Sequence, residues 1–245
     1  MELSAEQIEK NWNKYLKIVD TFITGDRKDK LKSLYESLVD EMVLAPASGK
    51  ASYHNAFAGG YIDHVNRVVH CAIKVKELWE SMGALIDFTD EELVFAALNH
   101  DLGKIGFKDN PNYIPQTDKW RQDKLGELYT NNTNLSFMLI QDRSLFILQQ
   151  NGIAMNEKEY FAIKLHDGLY DEVNKPYFIS YNPDSKLRSN IVYILHQADF
   201  LASNIEYGTW KSAKKGNTHK KENVTTSTGK KVSSSEGLMS LVKNL

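Results

Sequence analysis

Apolar residues in this chain recur at spacings of three and four, and no segment sustains a one-by-one alternation of apolar and polar residues. That period belongs to helices packed by one face, so strands are expected to be minor and the fold class all-α. Between Ala5 and Ile23 the stripe runs through Ile8, Trp12, Tyr15, Val19 and Phe22, with Ser4 placed to cap it. Lys30 to Leu44 repeats the pattern through Leu31, Leu34, Tyr35, Leu38 and Met42. A third helix is expected from Gly59-Gly60 to about Ser81, along Ile62, Val65, Val68 and Ala72. Thr89-Asp90-Glu91-Glu92 reads as a capping box for a helix that ends at His100-Asp101, with Gly103 as its C-cap. Residues 119–130, 136–150 and 156–167 are predicted helices, 107–118 and 170–185 are loop-like, and Leu187 to Tyr207 forms a long helix.

The chain has 245 residues, 42% of them hydrophobic, enough for a sizeable core. No apolar run approaches the roughly 18 residues a membrane span needs. The N-terminal MELSAEQIEKNWNK has no signal-peptide apolar region, so a cytoplasmic protein without membrane contact is expected. The single cysteine, Cys71, excludes an intramolecular disulfide and a Cys-rich zinc site. A metal would therefore have to be held by His and carboxylate. Residues 211–245 carry eight Lys and two Glu, while the rest of the chain is acidic, which argues against a broad nucleic-acid surface. From Gly208 to Ser235 the composition is Lys, Thr, Ser, Gly and Asn, read as a flexible basic segment, with a short helix from Glu236 to Leu245 docking back. The expected organisation is N-terminal helices (1–44) packing on a core (45–207), followed by the basic appendage (208–245).

The seven histidines lie at 54, 64, 70, 100, 166, 196 and 219. Adjacent residues on a helix point about 100° apart, so His100 and Asp101 can share one ion only where the helix ends or along its flank. His64 lies on the flank of an apolar stripe, and Asp199 is embedded in the strongest helix of the chain, one turn beyond Leu195. A carboxylate there is expensive unless partnered. Coordination to a cation would remove that cost, and two His with two Asp suit divalent Mn, Fe, Ni, Co, Zn or, less naturally, Mg.

Gly59-Gly60-Tyr61-Ile62-Asp63-His64, Leu98-Asn99-His100-Asp101-Leu102-Gly103-Lys104 and Leu195-His196-Gln197-Ala198-Asp199 together resemble the H…HD…D signature of HD-domain metal-dependent phosphohydrolases over residues 45–207. The resemblance implies a helical bundle with His64, His100, Asp101 and Asp199 as ligands of a divalent metal ion. Locally, Tyr53 to Gly60 is most similar to the HD domain of bacterial 3′→5′ exoribonucleases, and His166-Asp167-Gly168 stands where those enzymes have His-His-Gly. Their intervening His has no counterpart around Gly126-Glu127-Leu128, so a mononuclear centre is expected.

On that resemblance Lys104 and Arg67 are candidates to neutralise a substrate phosphate. His166 and Asp167 are candidates for general acid or base, and His54 for phosphate contact or substrate orientation. His70 and His196 are expected on the helix surface or in packing, Asp63 as a solvated acid at a helix start, and Tyr170, Tyr177 and Tyr181 as loop packing, with stacking on a base as the alternative. The expected activity is hydrolysis of a phosphate ester of a nucleotide or related small molecule. The alternatives are a 3′→5′ exonuclease on single-stranded RNA or DNA and a catalytically silent binding module.

Overall fold

The structure, a computed structural model, describes residues 3–215, 223–225 and 231–233, which are mostly helical. They belong to two units, Met1–Tyr207 and Gly208–Leu245. In the first unit α1 (Ala5–Phe22) starts at a capping box in which Ser4 and Gln7 satisfy each other's backbone N–H, and it turns Tyr15 and Val19 inward. The single helix expected up to Leu44 is two, α2 (Gly25–Ser37) and α3 (Val39–Leu44). Leu38 leaves the helical region at φ −119°, ψ 18°, and this break lets both Leu38 and Met42 reach the core.

At the centre lies α4 (Gly60–Ser81), packed against α1, α3 and α5 (Asp90–Asn99). Its start explains the glycine pair. Gly59 takes a left-handed φ of +82°, and a Cβ on Gly60 would sit 2.0 Å from the Asn55 carbonyl oxygen. Tyr15, Tyr35, Tyr61, Phe95 and Leu98 are fully buried around α4. Each large apolar side chain contributes about 1.5–3 kcal/mol by leaving water. The N-terminal helices also grip the end of α5: the Tyr15 hydroxyl donates to the Leu98 carbonyl (3.3 Å) and the Tyr35 hydroxyl to Asn99 Oδ1 (2.8 Å). Arg27 links α2 to the rest through Glu91 and Glu159, both at 2.5 Å.

The capping box at Thr89 forms as read: Thr89 Oγ1 accepts from the Glu92 N–H and Glu92 accepts from the Thr89 N–H. Partial burial opposes the Glu92 charge, but the Thr89 backbone, Asn156 and the Thr89 hydroxyl outweigh it and hold its pKa below the usual carboxylate range. A depressed folded-state pKa stabilises above the ordinary value of about 4.3 and is lost as pH falls through the folded value. Between pH 6 and pH 3 the melting temperature of Glu92→Gln is therefore expected to fall less than that of the wild type.

Beyond α5 the chain departs from the sequence expectation. Gly103 is not a left-handed cap; Leu102–Ile105 forms a 3₁₀ turn that ends at Gly106, φ +81°. Strands β1 (Gly106–Phe107) and β2 (Asn110–Pro111) form a small hairpin. Within the predicted helix at 119–130 only 119–125 is helical, most of it the π turn Arg121–Leu125, and Gly126 at φ +65° closes it. The following β4 (Tyr129–Asn131) pairs antiparallel with β3 (Tyr113–Pro115). Gly126 and the β-branched and Asn-rich stretch after it favour a turn and strand over continued helix.

Helices α6 (Ile140–Gln150) and α7 (Glu157–Lys164) occupy the later predicted segments, and α8 (Lys175–Phe178) is one turn within the loop-like region. The long α9 (Ile191–Lys215) continues beyond Tyr207, so the basic segment begins as helix rather than loop. In the second unit β5 (Asn223–Thr225) pairs antiparallel with β6 (Lys231–Ser233). The expected helix from Glu236 to Leu245 and His219 lie outside the described residues. No described helix is long and apolar enough to cross a membrane.

Candidate metal centre

Four separated stretches of chain converge on Asp101. His64 comes from the first turns of α4, His100 and Asp101 from the end of α5, His166 from just beyond α7, and Asp199 from the middle of α9. His64 and His100 are fully buried, and Asp101 and His166 are 2% exposed. Asp101 Oδ2 lies 3.3 Å from His100 Nε2 and 3.5 Å from His64 Nε2, and Oδ1 lies 3.5 Å from His166 Nε2. Asp199 Oδ1 approaches His64 Nε2 at 3.1 Å.

The outer nitrogen of each ring is already spoken for. His100 Nδ1 donates to the Ala97 carbonyl (2.8 Å) and His166 Nδ1 to the Ile163 carbonyl (2.9 Å). Because a carbonyl can only accept, the proton of each neutral ring is on Nδ1 and the Nε2 lone pair faces inward. His64 Nδ1 faces the carboxylate of Glu206 at 3.1 and 3.3 Å. Donor atoms of His64, His100 and Asp101 lie within 4.8 Å of one another, as do those of His100, His166 and Asp199. Buried Nε2 atoms of His64 and His100 make no hydrogen bond. Such orphaned acceptors beside two carboxylates fit a divalent cation, and the mixed imidazole and carboxylate set suits Mn, Fe, Co, Ni or Zn better than Mg.

The electrostatics match this geometry. Burial disfavours a charged His64, yet Glu206, Asp101 and Asp199 outweigh it and hold its pKa well above the usual imidazole range. Burial works against Asp101 too, but Lys104, His100 and His166 keep it well below the carboxylate range. Asp199 is depressed, against burial, by His64 and His100. For His166 burial is overcome by Asp167, Asp101 and Asp199, and its pKa is raised to about 9. This surplus of carboxylates draws protons onto His64 and His166, where a cation would take their place.

Lys104 is buried against the cluster, with Nζ 2.6 Å from Asp101 Oδ2. Asp101, Tyr113 and Asp199 raise its pKa despite burial, so it stays charged. On its other side it donates to His54 Nε2 at 3.5 Å. The His54 ring packs 4.6 Å from that of His64, and burial, Lys104 and His64 hold its pKa well below the usual range. His54 is thus a neutral acceptor at the rim.

Two cavities meet at Tyr53 and His54. One, of about 560 Å³, is lined by Asp167, Tyr170, His196, Asp199, Phe200 and Asn204 among others; the Tyr170 and Phe200 rings stack at 6.4 Å with an interplanar angle of 19°. The other, of about 410 Å³, is lined by Lys50, Lys104, Tyr113, Arg121 and Glu127, with Glu127 pairing both Arg121 (2.6 Å) and Lys50 (3.7 Å).

Other expected residues fall elsewhere. Arg67 does not reach the inward side of the cluster: its Nε donates to Glu206 and its Nη2 to Asp63, behind His64. Asp63 is no solvated acid, since it also accepts from Asn11 and Asn55 and so joins α1, the His54 loop and α4. His196 is a lining residue that packs on the site, its Nδ1 donating to the His166 carbonyl at 2.7 Å. His70 is exposed on α4.

Sequence reasoning missed Glu206, although it lies seven residues after Asp199 and so on the same helical face. It also missed Ser144 and Arg143 of α6, which brace the turn after Asp101. Ser144 Oγ accepts from the Gly103 N–H, and Arg143, buried, donates to the Gly103 carbonyl and to Asn112 Oδ1. No spacing in the sequence signals those two. Compared with protein-family models, with curated proteins and with solved structures, the chain finds no match.

Proposed function

We propose that the chain is a metal-dependent phosphohydrolase acting on a nucleotide or related small phosphate ester. One observation carries this reading: three inward-facing imidazole nitrogens and two carboxylates meet in a buried cluster whose rim holds a charged lysine and opens onto an aromatic cavity. His64, His100, Asp101 and Asp199 would hold the ion, with His166 Nε2 beside them. When bound, a divalent ion lowers the pKa of a water to about 7 and polarises a phosphoryl oxygen.

The protein's own groups would do the rest. Lys104 places a fixed positive charge where a phosphate would replace Asp101 as its partner, and neutral His54 beside it can orient a phosphate hydroxyl. Asp167, with a side chain 41% exposed at the mouth of the aromatic cavity, is placed to exchange a proton with the leaving oxygen. Tyr170 and Phe200 offer a face for a nucleobase, and base–aromatic stacking contributes about 1–3 kcal/mol.

The test is a panel of nucleoside mono- and triphosphates, cyclic nucleotides and short oligonucleotides, incubated with Mn²⁺, Mg²⁺, Co²⁺, Ni²⁺ or chelator, with products identified by mass. Small nucleotides are expected to turn over only with metal. In Tyr170→Ala the KM is expected to rise about tenfold, the equivalent of 1.4 kcal/mol, with kcat little changed. Turnover confined to oligonucleotides would establish the exonuclease instead, and saturable binding without product would establish a silent binding module.

A further inference from the structure

We infer that Glu206 is a positioning residue for the metal centre, acting through His64; the inference rests on the metal-site reading above. The Glu206 carboxylate is 4% exposed, and both of its oxygens face His64 Nδ1, at 3.1 and 3.3 Å. A carboxylate buried at that depth is costly without partners, so its place needs a reason. Its two partners are His64 and Arg67, whose Nε donates to Oε1 at 3.1 Å.

The geometry separates this role from coordination. Glu206 meets Nδ1, whereas Asp101 and Asp199 approach Nε2 on the opposite side of the same ring. Glu206 thus stands on the side of the ring away from Asp101 and Asp199, where its donor atoms come within 4.8 Å of those of His54 and His64. It fixes which nitrogen of His64 carries the proton, aims the other at Asp101 and Asp199, and makes the ring a better electron donor. The two helices are matched for this. On α4, Arg67 follows His64 by three residues and compensates the buried charge; on α9, Glu206 follows Asp199 by two turns and brings its carboxylate behind the ring that Asp199 faces.

The test is calorimetric titration of Mn²⁺ into full-length wild type, Glu206→Ala and Glu206→Gln, with Co²⁺ absorption spectra at saturating metal. Glu206→Ala is expected to weaken Mn²⁺ binding about 10–100-fold. Glu206→Gln keeps an acceptor for Nδ1–H without the charge and is expected to recover part of that loss, with a shifted Co²⁺ visible band. If Glu206→Ala does not fold, Glu206→Gln carries the test alone through a several-fold loss and the same band shift. Wild type that binds no Mn²⁺ overturns the metal-site reading and this inference with it. Wild type that binds, beside folded variants with unchanged affinity and spectrum, overturns the inference alone.

Discussion

Asp101→Asn is expected to lower metal-dependent phosphate release by about a thousandfold or more, a loss of about 4 kcal/mol of transition-state stabilisation. The substitution keeps the shape of the side chain and removes its charge. No other carboxylate of the cluster touches as many partners: Asp101 contacts Lys104, His64, His100 and His166. Without the charge the largely buried Lys104 ammonium loses its 2.6 Å partner and keeps only the more distant Asp199 as counter-charge. Breaking a buried pair in this way costs about 3–5 kcal/mol, so the variant is also expected to melt earlier in the absence of metal. Mn²⁺ should raise the melting temperature of the wild type, because a ligand that binds only the folded state stabilises it, and should leave that of Asp101→Asn unmoved. Turnover at the wild-type rate in a folded Asp101→Asn protein would sink the proposed role of this cluster.

Gly103→Ala is expected to destabilise the fold by about 3 kcal/mol, at the upper end for overpacking. The cause is a close approach, since a Cβ at this position would lie 2.1 Å from the Ile140 carbonyl oxygen and 2.9 Å from Arg143 Cβ. Both are parts of α6 that cannot swing aside. For a chain of this size the melting temperature should fall by about 6–12 °C, at 2–4 °C per kcal/mol. Gly208→Ala is the control. It lies within α9, where an added Cβ meets nothing within 4 Å, and alanine there should leave or slightly raise the melting temperature. Equal melting temperatures for wild type and Gly103→Ala would show that α6 does not press on the turn after Asp101.

Much of the helical framework was legible because helix starts are local. Ser4 with Gln7 and Thr89 with Glu92 cap their helices through residues three apart, and the apolar stripes of α1, α4 and α9 lie within single segments. The breaks were harder to read. Leu38 interrupts α2 and α3 with no glycine or proline to mark it, because burying both Leu38 and Met42 outweighs continuing one helix. The helix expected at 119–130 gave way to β3–β4 pairing, whose partner residues are distant in sequence.

The site divides in the same way. His64, His100, Asp101 and Asp199, singled out by residue type and order, do come together in the fold, and with a lone cysteine any ion there would have to be held by His and carboxylate. What each of the site residues faces was not legible in the sequence. Arg67 turns to Glu206 and Asp63, and Lys104 is drawn against Asp101, because a buried carboxylate takes the nearest cation whatever role spacing suggests.

By itself, then, the sequence determined an all-helical class, the helix starts and the chemical kinds of residue available to a site. Only the tertiary structure decided that the rings converge, that Glu206 stands behind His64, and that α6 braces the turn after Asp101. The physical reason is range. Caps and helical stripes are set by residues three or four apart, and so are the His100 and His166 rings, held by the Ala97 and Ile163 carbonyls. The convergence of those rings with His64, and the placing of Glu206 behind it, come instead from packing and hydrogen bonds between helices as much as 142 residues apart.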